Sequence, residues 1–167
     1  MGRTTELRQA IKAQFLPLMV SRGFEPDLSR MPQCLTFRKR TPDKVYVCDI
    51  QWEKYGRPRF IVNFGRCGAR GVVCHGNEID PTKIFTPDTP ERGRLAPGSG
   101  VTISSWFRQD RTLFEWLLTR SRLKPPDDLV SDLIRLFSEV EEYWSTGKLA
   151  RHVRLMPRLP ENWTHDR

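Results

Sequence analysis

The sequence predicts an α+β fold, in which an antiparallel meander of about four to five strands carries N-terminal and C-terminal helices on one face. Three consecutive segments alternate apolar and polar side chains with period two, which is typical of strands that turn one face to a core. Apolar residues recur at helical spacing before and after these segments. The 167 residues, 38% of them hydrophobic and 29% charged, predict one globular domain covering 1–167.

The strand prediction depends on the apolar faces of the three segments. In chain order these faces are Leu35 and Phe37, then Tyr46, Cys48, Ile50 and Trp52, then Phe60, Val62 and Phe64. Residues 41–43 and 54–58 connect the segments and have the lengths of hairpin loops, which predicts that the strands pair antiparallel in sequence order. Residues 101–108 alternate in the same way and predict a further strand.

Two amphipathic helices flank the predicted meander. The first covers residues 5–22, with Thr4 or Thr5 as its N-cap; Gly23 ends it and the internal Pro17 predicts a kink. The second has the clearest stripe in the chain, begins at Asp127 or Asp128 and ends at Gly147. Its stripe consists of Leu129, Leu133, Leu136, Phe137, Val140, Tyr143 and Trp144.

The remaining segments have weaker patterns. Residues 65–100 contain seven glycines and four prolines, which predicts a long insertion or loop. Residues 112–122 and 148–156 predict short helices, the second of them basic. Proline punctuation predicts a flexible tail over 157–167.

The net charge of +8 lies mainly at the two ends of the sequence. The first 59 residues carry 12 basic and 6 acidic groups, and residues 148–167 carry 5 basic and 2 acidic groups. This distribution favours a partner with an acidic surface, either a protein or a nucleic acid. No apolar run is long enough to cross a membrane and no signal-peptide core is present, so we expect a cytoplasmic protein without membrane contact.

The four cysteines predict no disulfide and no cofactor. Three of them, Cys34, Cys48 and Cys67, lie in or beside predicted strands, where a free thiol packs as a small hydrophobe. Cys67, Cys74 and His75 raise the question of a metal site. The chain contains no CxxC pair, however, and the adjacent Cys74 and His75 have poor spacing for binding one ion.

Four segments resemble a known family. They are FLPLMVSRGF over 15–24, LTFR over 35–38, VCDIQW over 47–52 and FIVNFG over 60–65. Together they resemble the domain-of-unknown-function family 4304, in which a helix ends in a Gly-Phe turn and is followed by strands carrying a glutamine and an asparagine. Gln51 and Asn63 match those two positions. The resemblance implies a bacterial origin and an α+β fold, and it implies no particular activity.

A polar face of the predicted meander is the leading candidate site. If the faces of Cys48 and Phe60 are buried together, then Asp49, Gln51, Arg59 and Asn63 lie on the opposite side of the sheet. The functional interpretation is a recognition surface for a peptide, a nucleotide or a side chain of a partner. The alternative is a solvated outer face, or a polar network beneath the long loop.

A second candidate set combines arginines with aromatic residues. It consists of Arg92, Arg94, Trp106 and Arg108, which suit base stacking in nucleic-acid binding or a protein–protein hot spot. A tryptophan in such a strand is more often part of the core. Glycines at every third position over 65–71 could form a phosphate cradle with Arg66 and Arg70, but the segment fits neither a P-loop nor a dinucleotide fingerprint.

The sequence contains no motif of a known catalytic chemistry. We therefore predict a non-catalytic protein-binding module, an immunity-like or defence-associated accessory that docks a protein with an acidic surface. Nucleic-acid binding through the basic surface is the first alternative. A hydrolase or nuclease that depends on Asp49 or Gln51 is the second, and the oligomeric state is left open.

Overall fold

The computed structural model describes residues 2–74, 76–98, 106–109 and 124–157. Helix α1 spans Arg3–Ala10, a π-helical turn spans Ile11–Phe15, α2 spans Leu16–Ser21 and α3 spans Pro126–Thr146. The helix predicted over 112–122 and most of the tail predicted over 157–167 lie outside the described residues. The same holds for 101–105 of the predicted strand.

Within the described residues, nine strands form a main sheet and a separate hairpin. Their bounds are β1 Glu25–Asp27, β2 Cys34–Arg40, β3 Lys44–Trp52, β4 Arg59–Gly68, β5 Val72–Cys74, β6 Asn77–Ile79, β7 Glu91–Leu95, β8 Phe107–Arg108 and β9 Val153–Leu155. The main sheet is antiparallel with the order β1-β2-β3-β4-β7-β9, and β8 pairs with β4. The α+β prediction is confirmed, with more strands than expected.

The N-terminal helix accommodates Pro17 by changing its winding. Proline has no N–H to donate to the preceding turn, so an α-helix loses a hydrogen bond at that point. The chain widens into the π-helical turn immediately before α2, and Pro17 then occupies the first turn of α2. Gly2 stands at the N-cap position instead of Thr4 or Thr5, and Gly23 follows the helix with a φ of 82°.

The main core lies between the helices and one face of the sheet. Phe15 is fully buried at its centre and makes edge-to-face contacts with Phe37, 5.7 Å between ring centroids, and with Phe137, 5.4 Å. The apolar faces predicted for β2, β3 and β4 all turn toward this core. Such aromatic pairs contribute about 0.5–1.5 kcal/mol each beyond the area that they bury.

The second face of the sheet is also partly covered. Residues 80–90, here called the strap, cross it and include a 3₁₀ turn at Thr86–Asp88. Ile84 of the strap packs with Val45, Val47 and Cys67 in a small second core. The stretch 65–100 is therefore not a loop throughout, since it also holds the end of β4, the β5–β6 hairpin and β7.

The segment predicted as a basic helix over 148–156 instead forms a turn and strand β9. Val153 is 3% exposed and contributes to the main core, while β9 pairs with β7. The His152 backbone N–H donates to Glu139 Oε2 at 2.9 Å, which ties this segment to α3. The bonds to β7 and α3 decide its structure, and neither is visible in the local sequence pattern.

Thr89 of the strap packs directly against Gly65 of β4. A side-chain carbon there would lie 2.0 Å from Thr89 Oγ1 and 3.1 Å from the Glu91 carbonyl oxygen. We expect Gly65→Ala to lower the free energy of unfolding by about 1–3 kcal/mol. Gly68→Ala is the matched control in the same strand, because nothing lies within 4 Å of the added carbon. Urea unfolding followed by tryptophan fluorescence measures both, and equal midpoints would contradict the contact.

Candidate recognition surface on the second sheet face

Strand register brings the predicted polar residues onto one face. Asp49 pairs with Asn63, Asn63 with Arg94, and Arg94 with Arg154, so these four side chains form a row across β3, β4, β7 and β9. Gln51 lies two residues along β3 from Asp49, on the same side. The strap divides this face into a covered half, which contains Asp49, and an open half, which contains Gln51, Asn63, Arg94 and Arg154.

Asp49 attaches the strap to the sheet. It is 4% exposed, and its Oδ2 accepts the Thr86 N–H at 3.0 Å. Burial raises the pKa of this carboxyl group, while hydrogen bonds from Thr86 and Thr36 and the charge of Arg38 act in the opposite direction without offsetting it. Asp49 was predicted to belong to a recognition surface, but the strap keeps it out of reach of a partner.

Arg38 is a second attachment point of the strap. Its Nε donates to the Ile84 carbonyl at 2.6 Å and its Nη1 pairs with Asp27 Oδ2 at 2.7 Å. The guanidinium also lies over the ring of Phe85, 4.8 Å from the centroid. Arg38 is only 7% exposed, so its guanidinium group holds the strap in place and is not presented to solvent.

Arg92 is a third attachment point. Its two terminal nitrogens donate to the carbonyls of Pro87, in the strap, and of Pro157, each at 3.0 Å. The side chain is 8% exposed. Arg92 was predicted as a binding residue, but these bonds within the chain occupy both of its terminal nitrogens.

The open half carries a directional chain of hydrogen bonds. Arg94 Nε donates to Asn63 Oδ1 at 2.9 Å, and Asn63 Nδ2 donates to Gln51 Oε1 at 3.4 Å. Arginine has donors only, so it fixes the orientation of the Asn63 amide, which in turn fixes that of Gln51. The Gln51 amide group and the Arg94 terminal nitrogens therefore end the chain as donors. Arg154, exposed beside Arg94, adds further donors.

The aromatic candidate lies at the margin of this face. The Arg59 guanidinium stacks over Trp106 at 4.8 Å from the ring centroid and pairs with Glu53 Oε1 at 3.5 Å. Arg108 pairs with Arg59 in register, on the same side of the sheet. Trp106 is half-buried, so the ring forms a shelf at the surface and is not a core residue.

The segment 65–71, which did not fit a known phosphate-binding motif, is the end of β4 followed by a turn. Gly68 is the last residue of β4, and Arg66 Nε pairs with Glu91 Oε1 at 2.6 Å. Arg66 Nη1 also donates to the Trp144 carbonyl at 2.8 Å, which joins β4 to the end of α3. Arg66 is thus engaged on the helix side of the sheet and does not face a ligand on the second face.

No group of three or more histidine, cysteine or acidic side chains in the described ranges is arranged to hold a metal ion. Cys67 is 6% exposed and packs in the small second core with Val45, Val47 and Ile84. His75 and the side chain of Cys74 lie outside the described residues.

Comparisons of the chain with family models, with curated proteins and with solved structures find no match. The resemblance to family 4304 therefore stays a prediction. Among the helices that the structure describes, none has the length and apolar character needed to span a membrane.

Sequence reasoning missed Arg154 and the contact of the strap with the sheet through Thr86. Arg154 lies in a strand of only three residues, too short to show an alternating pattern. Thr86 lies between a phenylalanine and a proline, and its backbone contact with Asp49 spans 37 residues. The position of Arg154 between the apolar Val153 and Leu155 was the one feature of the sequence that indicated a strand with an outward arginine.

The raised pKa of Asp49 predicts a pH dependence of stability. The folded protein holds this proton more tightly than the unfolded chain, so ionisation lowers stability as the pH rises from about 4 through the folded pKa. Asp49→Asn is neutral throughout and can still accept the Thr86 N–H. We therefore expect the stability of the wild type minus that of the variant to decrease across this range.

Urea unfolding at a series of pH values from about 4 upward measures this difference. Asp43→Asn, at an exposed position in the β2–β3 turn, is the control for a simple loss of one carboxylate. A stability difference that grows in favour of the wild type with rising pH would show that ionised Asp49 stabilises the fold.

Proposed function

We propose that this protein is a non-catalytic binding module that docks an acidic segment of a partner protein on the open half of the second sheet face. The observation that carries the proposal is the hydrogen-bond chain from Arg94 through Asn63 to Gln51, which leaves donors at both of its ends. Donor groups without acceptors are complementary to carboxylates and to backbone carbonyls. An immunity-like or defence-associated accessory would use a surface of this kind.

Local charge supports an acidic partner. Arg94 and Arg154 lie side by side, and neither forms an ion pair with an acidic residue in the described part of the chain. Partial burial lowers the pKa of Arg94, although a guanidinium stays protonated in proteins. A charge that has already lost part of its hydration interacts more strongly with an incoming carboxylate.

Nucleic-acid binding is the second candidate, favoured by the stack of Arg59 on Trp106 with Arg108 beside it. Aromatic shelves next to arginines bind bases and phosphates in single strands. One side of the Trp106 ring is already occupied by Arg59, which leaves at most one side for a base. We therefore place this function second.

The hydrolase or nuclease alternative depended on Asp49 or Gln51. Asp49 is buried beneath the strap, where its carboxylate accepts a backbone N–H. Gln51 is exposed, but an amide does not act as a general base at neutral pH. The geometry gives no support to this alternative.

Arg94→Ala tests the proposed surface. The probe is an acetylated, amidated oligoglutamate peptide, whose binding is measured by fluorescence anisotropy at about 50 mM salt. We expect Arg94→Ala to weaken binding about tenfold, because a hydrogen bond to a charged group contributes about 1.5–3 kcal/mol. Arg135→Ala is the matched control, since Arg135 is 65% exposed on α3 and loses the same charge elsewhere.

Equal weakening by Arg94→Ala and Arg135→Ala would mean that the peptide senses only the net charge, and would count against a defined surface. Preferential binding of a single-stranded oligonucleotide over oligoglutamate at about 150 mM salt, lost in Trp106→Ala, would replace the leading function with the second candidate.

A further inference from the structure

Strand β9 ends the sheet next to the open half, and its outer edge has no partner among the strands that the structure describes. Met156 N donates to Arg92 O at 2.9 Å and Ala96 N donates to His152 O at 2.8 Å, so residues 152, 154 and 156 turn their backbone groups toward β7. By alternation, Val153 and Leu155 turn theirs outward. The Val153 N–H is used within a turn, by Ala150 O at 3.3 Å, which leaves the Leu155 N–H and two carbonyls on the edge.

The strand is held firmly on its inner side. Val153 is buried in the main core, and the preceding His152 is tied to Glu139 through Nδ1 and Oε1 at 2.6 Å. The following Pro157 accepts a hydrogen bond from Arg92. A strand anchored at both ends and along one edge presents its other edge in a fixed geometry, which lowers the entropy cost of pairing with it.

The opposite end of the sheet is protected against such pairing. Strand β1 is Glu25-Pro26-Asp27, which combines a proline that cannot donate with two acidic side chains. Prolines and charges are the usual means by which sheet edges avoid pairing with other chains. Strand β9 contains no proline and has one charge, that of Arg154.

Side chains of β9 differ between the two faces. Arg154 lies on the second face beside Arg94, whereas Leu155 lies on the other face and is 45% exposed. By the same alternation Met156, 38% exposed, lies on the face of Arg154. A strand paired with β9 would therefore meet Arg154 on one face and Leu155 on the other.

We propose that the partner segment binds as an extra strand on the outer edge of β9, with acidic side chains toward Arg154 and Arg94 and apolar side chains toward Leu155. Binding by strand addition takes its affinity from main-chain hydrogen bonds and its specificity from the alternating side chains. The predicted partner sequence alternates acidic and β-branched residues. The acidic half of this pattern rests on the proposed function, while the edge geometry does not.

The test uses the full chain and a capped peptide of alternating glutamate and valine. Leu155→Pro removes the outward N–H, and Leu155→Ala is the matched control that loses the side chain but keeps this donor. Edge strands accept proline where the N–H faces away from the sheet. We expect the peptide to bind Leu155→Pro about fivefold more weakly than Leu155→Ala, the effect of one hydrogen bond. A copy of the peptide with methylated backbone nitrogens should not bind the unaltered protein.

Each outcome separates the two proposals. Equal binding by both Leu155 variants and by the methylated peptide would overturn strand addition, while loss of binding in Arg94→Ala would still support the acidic surface. Binding of oligoglutamate without binding of the alternating peptide would also overturn strand addition. A dimer of the unaltered protein in sedimentation, dissociated by Leu155→Pro, would assign the edge to a second copy. Failure of both acidic peptides to bind would overturn the proposed function itself.

Discussion

The register between β3 and β4 determines on which side of the sheet each side chain of these two strands lies. Each residue of β3 has a partner in β4, with Cys48 opposite Phe64 and Asp49 opposite Asn63. A slip of one residue would turn the apolar face of β3 outward and place Asp49 against the helices. A carboxylate buried in the apolar core without a hydrogen-bond partner would cost far more free energy than the same group costs beneath the strap, where it accepts a hydrogen bond. The alternation of the sequence thus specifies one register, and the remaining elements attach to it.

The strap is attached to the sheet by side-chain hydrogen bonds, because its sequence prevents a regular backbone ladder. Pro81, Pro87 and Pro90 interrupt the strap, so its backbone cannot form a regular ladder with the sheet. Arg38 and Arg92 instead donate to its carbonyls, and Asp49 accepts the N–H of Thr86. Burial raises the pKa of Asp49, so the ionised form of this carboxyl group is disfavoured beneath the strap. The packing of Ile84 against Val45 and Val47 and the close contact at Gly65 stabilise the attached strap.

Long, regular elements could be predicted from the sequence, while short ones could not. Strands β2 to β4 and helix α3 repeat their pattern often enough to be recognised, but β7 contains Arg92, Gly93 and Arg94 with one buried apolar side chain, Leu95, and becomes a strand through its pairing with β4. The side of the sheet was likewise predictable for the polar residues. The sequence did not show that the strap covers Asp49 and leaves Gln51 exposed, because the contact between Thr86 and Asp49 spans 37 residues.

Arg92 and Arg94 of this face have different hydrogen-bond partners. Arg92 and Arg94 occupy one strand two residues apart, and their side chains point to the same side of the sheet. Arg92 donates its terminal nitrogens to main-chain carbonyls of the strap and of Pro157, whereas Arg94 donates Nε to the Asn63 side chain in the open half. An extended chain of a partner that offers main-chain carbonyls to Arg94 would bind it as the strap binds Arg92 within this protein. Since β9 lies next to Arg94 and keeps its outer backbone groups unpaired within the described sheet, such a chain would also find main-chain partners there.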